Sequence, residues 1–367
     1  MKNRVEMISE ILNEHSVDAI FLTNPSNIYY LTGIQFQTSS HDGYCLVISG
    51  KIFVFTNALY IGSLRSKNKI TVVEIAGLAH LFTTLTKIVR HNRVEKIGFE
   101  KENILHHEFT LLKKSLKKTK LIPINNPLAS ARLHKSTDEV RSIKRACKVL
   151  DLAFKHILKY IKLGVSEKEL ASEIGYFIKK RGADLAFPPI VAFGKNSAIP
   201  HHSPTTYKLK PKNIVLLDFG ARVNGYCSDI TRTVYFGNPS QKIKNIYQTV
   251  LDSQLKVLDH MYNKLVYYTS ELETSSLDKV ARNHITKAGY PSIPHSLGHG
   301  IGLDIHESPR IGPNSRDVLN EGMVFTIEPG IYLPRIGGIR IEDTVLITNK
   351  GIEVLTKSPK NLIFIPL

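Results

Sequence analysis

Short apolar runs punctuate the first third of the chain: DAIFL (18–22), YCLVI (44–48), KIFVF (51–55) and KIGF (96–99). Runs of that length between polar turns predict strands, and helical spacing at 3–15 and 77–91 interleaves helices with them. The order predicts a small mixed α/β domain. LIPINNPLASARLHKS then carries two prolines and a polar pair without periodicity. A domain boundary is placed there, near residue 128, dividing the chain into 1–128 and 129–367.

Beyond the boundary, Ser136-Thr-Asp-Glu139 has capping-box spacing, and Val140, Ile143, Cys147, Leu150, Phe154, Ile157 and Ile161 recur at helical intervals. A second capping box, Ser166-Glu-Lys-Glu169, opens a helix that runs to about Arg181 and stops at Gly182. PIVAFG, NIVLLDFGARV and GYCSDITRTVYF read as strands. The same order returns with helices near 240–263 and 275–288 and strands near 323–328 and 339–347. Two helices followed by strands, twice over, predict an internally duplicated α+β domain.

Composition narrows the class. With 367 residues and 42% hydrophobic content, the chain can fill two cores and is not a disordered protein. A net charge of +17 raises the question of an anionic partner. Its one dense cluster, KKSLKKTK at 113–120, reads as a solvated helical surface, because nucleic-acid patches interleave arginine and aromatics. Cys45, Cys147 and Cys227 are too few and too widely spaced for a disulfide framework or a cysteine metal site. No run approaches the roughly 18 apolar residues of a membrane span, and the start lacks the apolar stretch of a secretory signal. A cytosolic protein with no membrane partner is expected.

The chemistry lies in carboxylates set where a core should be. Asp218 interrupts NIVLLDFGA, and Asp229 follows in the next strand, with Asn224-Gly225 between them as a hairpin turn. A two-residue loop there pairs Asp218 with Thr231, sets Asp229 on the adjacent diagonal and puts all three on one face. Two buried carboxylates so close repel unless a cation intervenes. The alternative is that Asp218 caps a turn and Asp229 pairs with Arg222 or Arg232 at the surface.

The anomaly repeats in MVFTIEPG (323–330) and GIRIEDTVLI (338–347), where Glu328 and Glu342 sit in apolar strands joined by a Gly- and Pro-rich connection. These predict a second hairpin, with Arg340, Glu342 and Thr344 on one face and Ile339, Ile341 and Val345 on the other. Between the hairpins, HSLGHGIGLDIHESPR (295–310) supplies His295, His299 and His306. Carboxylates with neutral imidazole suit Mn, Fe, Co or Zn, and four acidic side chains balance two divalent ions better than one. Its His-Gly-Ile-Gly segment lacks the strand-to-helix setting of a dinucleotide loop.

LLDFGA, YCSDITRT, HSLGHGIGLDIHE, TIEPG and GIRIEDT, in that order, resemble the prolidase and aminopeptidase P family, relatives of methionine aminopeptidase with the pita-bread fold. NPSNIYYLTG (24–33) looks like that family's N-terminal creatinase-type domain, so the resemblance covers the whole chain. It implies two divalent metal ions, Mn first with Co, Zn or Fe as alternatives. Asp218 would bind the first ion, Asp229 and Glu342 would bridge both, and His299 and Glu328 would complete the second. It also implies that His306 stabilises the oxyanion, that His201 contacts substrate and that Glu328 shuttles the proton. His295 and Arg340 match further pocket residues, and His202 looks like a neighbour without the substrate-contacting role of His201.

The implied reaction is hydrolysis of the bond between an N-terminal residue and proline, by a homodimer. Arg310 matches an arginine that contacts the substrate carboxylate in some prolidases. The same motif occurs in short aminopeptidase P-like proteins, so dipeptidase and aminopeptidase both stand. Methionine aminopeptidases usually lack a large N-terminal domain, and creatinase lacks the metal ligands. The remaining alternative is a non-catalytic pita-bread protein that binds nucleic acid through its basic surface; the complete ligand set argues against it.

Overall fold

Residues 4–36, 42–64, 70–268 and 271–367 are described by the structure, a computed structural model. The helix expected at 3–15 therefore begins one residue outside the described residues. The chain divides into two units, Met1–Arg132 and Leu133–Leu367.

The first unit runs α1 (Arg4–Glu14), β1 (Ala19–Leu22), α2 (Pro25–Thr32), β2 (Gly43–Ile48), β3 (Lys51–Thr56), α3 (Ala58–Leu64), β4 (Thr71–Glu74), α4 (Leu78–His91), β5 (Lys96–Glu100), α5 (His106–Ser115) and β6 (Lys120–Ile124). Its sheet has the order β4-β3-β2-β1-β5-β6. Strand β1 is buried on both faces: Ile20 and Leu22 pack with Ile8 and Leu12 of α1, while Ala19 and Phe21 pack with Leu81, Phe82 and Leu85 of α4. Double burial explains an unbroken apolar run in place of alternation.

The lysine run at 113–120 corrects the expectation of a helical surface. Helix α5 stops at Ser115, and Lys120 begins β6 in register with Lys96. Lys113, Lys114, Lys117, Lys118 and Lys120 are all exposed, but across a helix end, a turn and a strand start.

A short helix α6 (Ala129–Leu133) leads on to α7 (Thr137–Ile157), α8 (Glu167–Lys180), β7 (Asp184–Leu185), β8 (Ile190–Phe193), β9 (Asn213–Val223) and β10 (Tyr226–Phe236). There follow α9 (Gln241–Asn263), α10 (Thr274–Lys287), β11 (Gly298–Gly300), β12 (Glu307–Ile311), β13 (Val324–Ile327), β14 (Gly330–Leu333), β15 (Gly337–Arg340), β16 (Asp343–Thr348), β17 (Gly351–Val354) and β18 (Ile363–Ile365). Both expected capping boxes form: the Ser136 amide donates to Glu139 at 2.8 Å and the Ser166 amide to Glu169 at 2.6 Å.

Each helix pair covers one sheet. Leu150, Phe154, Ile174 and Ile178 of α7 and α8 pack on Val215, Leu217 and Phe219 of β9. Ile246, Val250, Leu277 and Ala281 of α9 and α10 pack on Phe325, Ile327, Ile339 and Val345. Two helices and a sheet, twice over, make the α+β duplication expected from element order. The two sheets, β18-β10-β9-β7 with β8 on β9, and β12-β11-β13-β16-β17, join where the Glu342 amide donates to the Thr231 carbonyl at 3.1 Å.

The hairpin of β9 and β10 has the expected register, with Asp218 opposite Thr231 and Asp229 opposite Gly220. Asn224 and Gly225 turn it with φ of 51° and 81°, a positive-φ pair that follows the strand twist. The second hairpin corrects the single strand expected over 339–347. One register runs from Val324 opposite Leu346 to Leu333 opposite Gly337, but it breaks between Ile327–Asp343 and Gly330–Arg340. Pro329 lies in the break and has no N–H to give to a ladder.

Candidate metal centre

Strand parity brings two of the acidic residues to the centre, and a break between strands brings the other two. In the first hairpin Asp218 and Asp229 share a face and are 7% and 4% exposed. In the second, Glu328 and Glu342 both fall in the break between Ile327–Asp343 and Gly330–Arg340, and the register shared by its two sides sets them level with each other. Strand β11 delivers His299. It lies so near β13 that a Cβ on Gly298 would stand 1.9 Å from the Thr326 carbonyl oxygen, a position only glycine fills.

Side-chain atoms of Asp229, His299 and Glu342 lie within 4.8 Å of one another. His299 Nε2 is 3.8 Å from Asp229 Oδ2 and 3.7 Å from Glu328 Oε1. Its Nδ1 is 3.1 Å from the Gly300 carbonyl, which can only accept. That contact places the proton on Nδ1 and leaves the Nε2 lone pair facing the carboxylates. Asp218 is turned instead onto Arg340, 2.5 Å from Nη2.

These groups perturb one another. Burial, then Glu342 and Asp218, push Asp229 well above the usual carboxylate range. Burial and Glu342 do the same to Glu328, and burial followed by Asp218 raises Glu342 to about 8. Burial and His306 lower His299 to about 3, so its imidazole is neutral at ordinary pH. The buried Oδ1 atoms of Asp218 and Asp229 have no hydrogen-bond partner among the described residues. Crowded carboxylates with orphaned oxygens beside a neutral imidazole fit a divalent cation that replaces the missing donors.

Tyr332 joins His295 and Arg340 in one hydrogen-bonded group and carries no anomaly in the sequence that marks it. Arg340 Nη1 donates to the Tyr332 hydroxyl at 2.9 Å, and that hydroxyl lies 2.8 Å from His295 Nε2. Arg340 Nε also donates to Thr231 Oγ1 at 3.1 Å, and Thr231 donates to Glu342 Oε2 at 2.6 Å. One arginine thus links both hairpins.

His306 stands beside His299 with ring centroids 4.3 Å apart. His201 is exposed and acts electrostatically on Asp218, His295 and His306. His202 points elsewhere: its Nε2 donates to Glu167 at 2.9 Å, and Glu167 also accepts from Phe193, Asn196 and Thr205. Arg310 is opposite His299 in the β11–β12 pair, but its Nε donates to Ser296 at 3.0 Å and it joins none of these contacts.

Asp343 completes the picture as an acidic residue of another kind. It is fully buried next to Glu342, yet it faces Arg232 at 2.6 Å and Lys360 at 3.0 Å. Burial opposes its charge, but those two cations outweigh it and hold its carboxyl below the usual range. This carboxylate is an ion-pair partner within the core.

Two family models match the chain, the Creatinase/Prolidase N-terminal domain over residues 4–134 and Metallopeptidase family M24 over residues 141–349. The chain is 34% identical to the Xaa-Pro dipeptidase of Pyrococcus furiosus over 99% of its own length and 100% of that protein's. Among solved structures it is similar to an Xaa-Pro dipeptidase from Bacillus anthracis, with a TM-score of 0.91, 36% identity and 99% of each chain covered. It is also similar to an X-Pro aminopeptidase from Thermotoga maritima, with a TM-score of 0.86, 30% identity and 97% and 100% of the two chains covered. On fold, length and sequence, this chain belongs to metallopeptidase family M24, with a creatinase/prolidase-type domain ahead of the pita-bread peptidase domain.

Proposed function

We propose that the protein hydrolyses the peptide bond between an N-terminal residue and a following proline, using two divalent ions held by Asp218, Asp229, His299, Glu328 and Glu342. The gathering of Asp229, Glu328 and Glu342 around one neutral imidazole, with Asp218 beside them on Arg340, carries the reading, and the names of the Pyrococcus and Bacillus relatives supply the proline. Manganese is the first choice of metal, with Co, Zn or Fe as alternatives. When bound, such ions lower the pKa of water and polarise the scissile carbonyl.

The chain's own residues supply the rest. Glu328 takes the proton of the attacking water and passes it to the leaving prolyl nitrogen. His306 donates a hydrogen bond to the carbonyl oxygen as charge develops there, and His201 contacts the substrate. Arg340, anchored through Tyr332 and Thr231, holds Asp218 and His295 in place, and Arg310 would meet a substrate carboxylate by leaving Ser296. The three buried free thiols suit a reducing cytoplasm, and a homodimer belongs to the same proposal. The nucleic-acid alternative is set aside, because the ligand set is complete and His201 and His306 are present.

The deciding assay compares Ala-Pro with Ala-Pro-Ala after loading with Mn²⁺. Cleavage of the dipeptide alone makes the protein a dipeptidase, and cleavage of both an aminopeptidase. Absence of turnover on either substrate with every divalent metal would refute the proposal.

A further inference from the structure

Gln254 lies in the middle of α9, in DSQLK, where its type reads as part of a solvated face. In the fold it is fully buried. Its side-chain nitrogen Nε2 donates to two main-chain carbonyls, Ile327 at 3.1 Å and Ile341 at 3.3 Å. These are the residues immediately before Glu328 and Glu342. The amide therefore sits at the one break in the second hairpin, where both glutamates leave the sheet.

The backbone bonds at that break explain why a side chain is needed. The Glu328 amide donates outward to the Leu297 carbonyl at 2.8 Å and the Glu342 amide outward to Thr231 at 3.1 Å. The Ile341 amide donates to the Pro329 carbonyl at 3.3 Å. An antiparallel rung would return a bond from residue 329 to the Ile341 carbonyl, but proline has no N–H. Gln254 supplies that missing donor with one proton and ties the neighbouring Ile327 carbonyl with the other. The opposite amide orientation would set Oε1 against two carbonyls, so the hydrogen-bond network fixes the assignment.

This arrangement has a cost. Gln254 Oε1 is buried with no partner among the described residues. An unpaired buried acceptor is unfavourable, and a methionine or leucine would pack the helix on the sheet without it. Retaining a half-satisfied amide at this point makes sense where the geometry of the two carbonyls matters more than the packing.

We infer that Gln254 is a positioning residue for the metal centre, holding the broken hairpin so that Glu328 and Glu342 present their carboxylates to the same cation site. The inference rests on the proposed ligand set. Its test uses the full chain, stripped with chelator and titrated with Co²⁺, followed by calorimetry and visible absorption. Gln254→Met keeps the length and removes both donors. Val257→Ala, on the same helix and in the same core, is the control for lost packing.

Gln254→Met is expected to weaken Co²⁺ binding on the order of tenfold or more and to change the absorption bands. Val257→Ala should lower the melting temperature and leave affinity and spectrum as in the wild type. Should Gln254→Met fail to fold, Gln254→Glu, with the same shape and at most one donor, is read in the same way. Wild-type affinity and spectrum in the Gln254 variant, or an equal loss in Val257→Ala, would overturn the inference alone. A wild-type protein that binds no Co²⁺ would overturn the ligand set and the inference with it.

Discussion

Asp218 serves two networks at once, and its substitutions should separate them. Its Oδ2 pairs with Arg340 while its Oδ1 has no hydrogen-bond partner among the described residues. Arg340 is itself buried, so Asp218→Ala would leave a desolvated guanidinium short of its counter-charge. We expect that variant to lose activity and also about 3–5 kcal/mol of stability. His299→Ala breaks no such pair and should abolish turnover while keeping a cooperative melting transition and the wild-type circular dichroism. Wild-type turnover in either variant would remove that residue from the ligand set. Asp218 and Asp229 are legible in the sequence because the Asn-Gly turn fixes a register that puts both on one face of an apolar hairpin, and the surface-pair alternative falls only with their burial. His299 is chosen among three nearby histidines only by resemblance, since nothing local distinguishes its ring. Tyr332 and Gln254 are not legible at all: one looks like an ordinary strand aromatic and the other like a helix surface residue. Their roles appear only when segments far apart in the chain meet.

At the scale of elements, the hairpins differ in what fixes them. The first is set by its turn, and the register follows from two residues. The second has an equally regular register, but Pro329 interrupts it, and the sequence pattern GIRIEDTVLI hides the break because alternation continues across it. What holds β10 against β16 is Arg232, whose guanidinium is 1% exposed. Nε donates to Pro359 at 3.1 Å, Nη1 to the carbonyls of Thr231 and Glu342 at 3.0 and 2.5 Å, and Nη2 to Asp343 and Ser358 at 2.6 and 2.9 Å. All the guanidinium protons are used. Arg232→Met should cost about 3–5 kcal/mol in denaturant unfolding, because Asp343 stays buried with Lys360 as its remaining cation. Arg232→Lys should recover little of it, since an ammonium cannot span acceptors on three segments. Unfolding midpoints close to wild type in both variants would show that the clamp is dispensable. The sequence marks Arg232 only as a possible surface partner of Asp229, a reading its burial reverses.

At the scale of the whole molecule, the carboxylates of the proposed metal centre make stability depend on pH. In the metal-free protein Glu342 titrates at about 8, and Asp229 and Glu328 lie well above their usual range, through burial first and mutual repulsion second. In the unfolded chain such carboxylates titrate near about 4. Between those limits the native state keeps protons that the unfolded chain has released, so stability falls as pH rises from about 4 to about 8. The diffuse net charge of +17 works the other way, because titrating histidines on the way up removes positive charge. Comparing metal-free with metal-loaded protein at each pH cancels that background. A bound cation takes the place of the retained protons and binds better as they leave. The melting temperature with saturating Mn²⁺ should therefore exceed that in chelator by a margin that widens between pH 6 and pH 8. A margin that stays constant or narrows over that interval would mean that the carboxylates are not the groups that meet the metal.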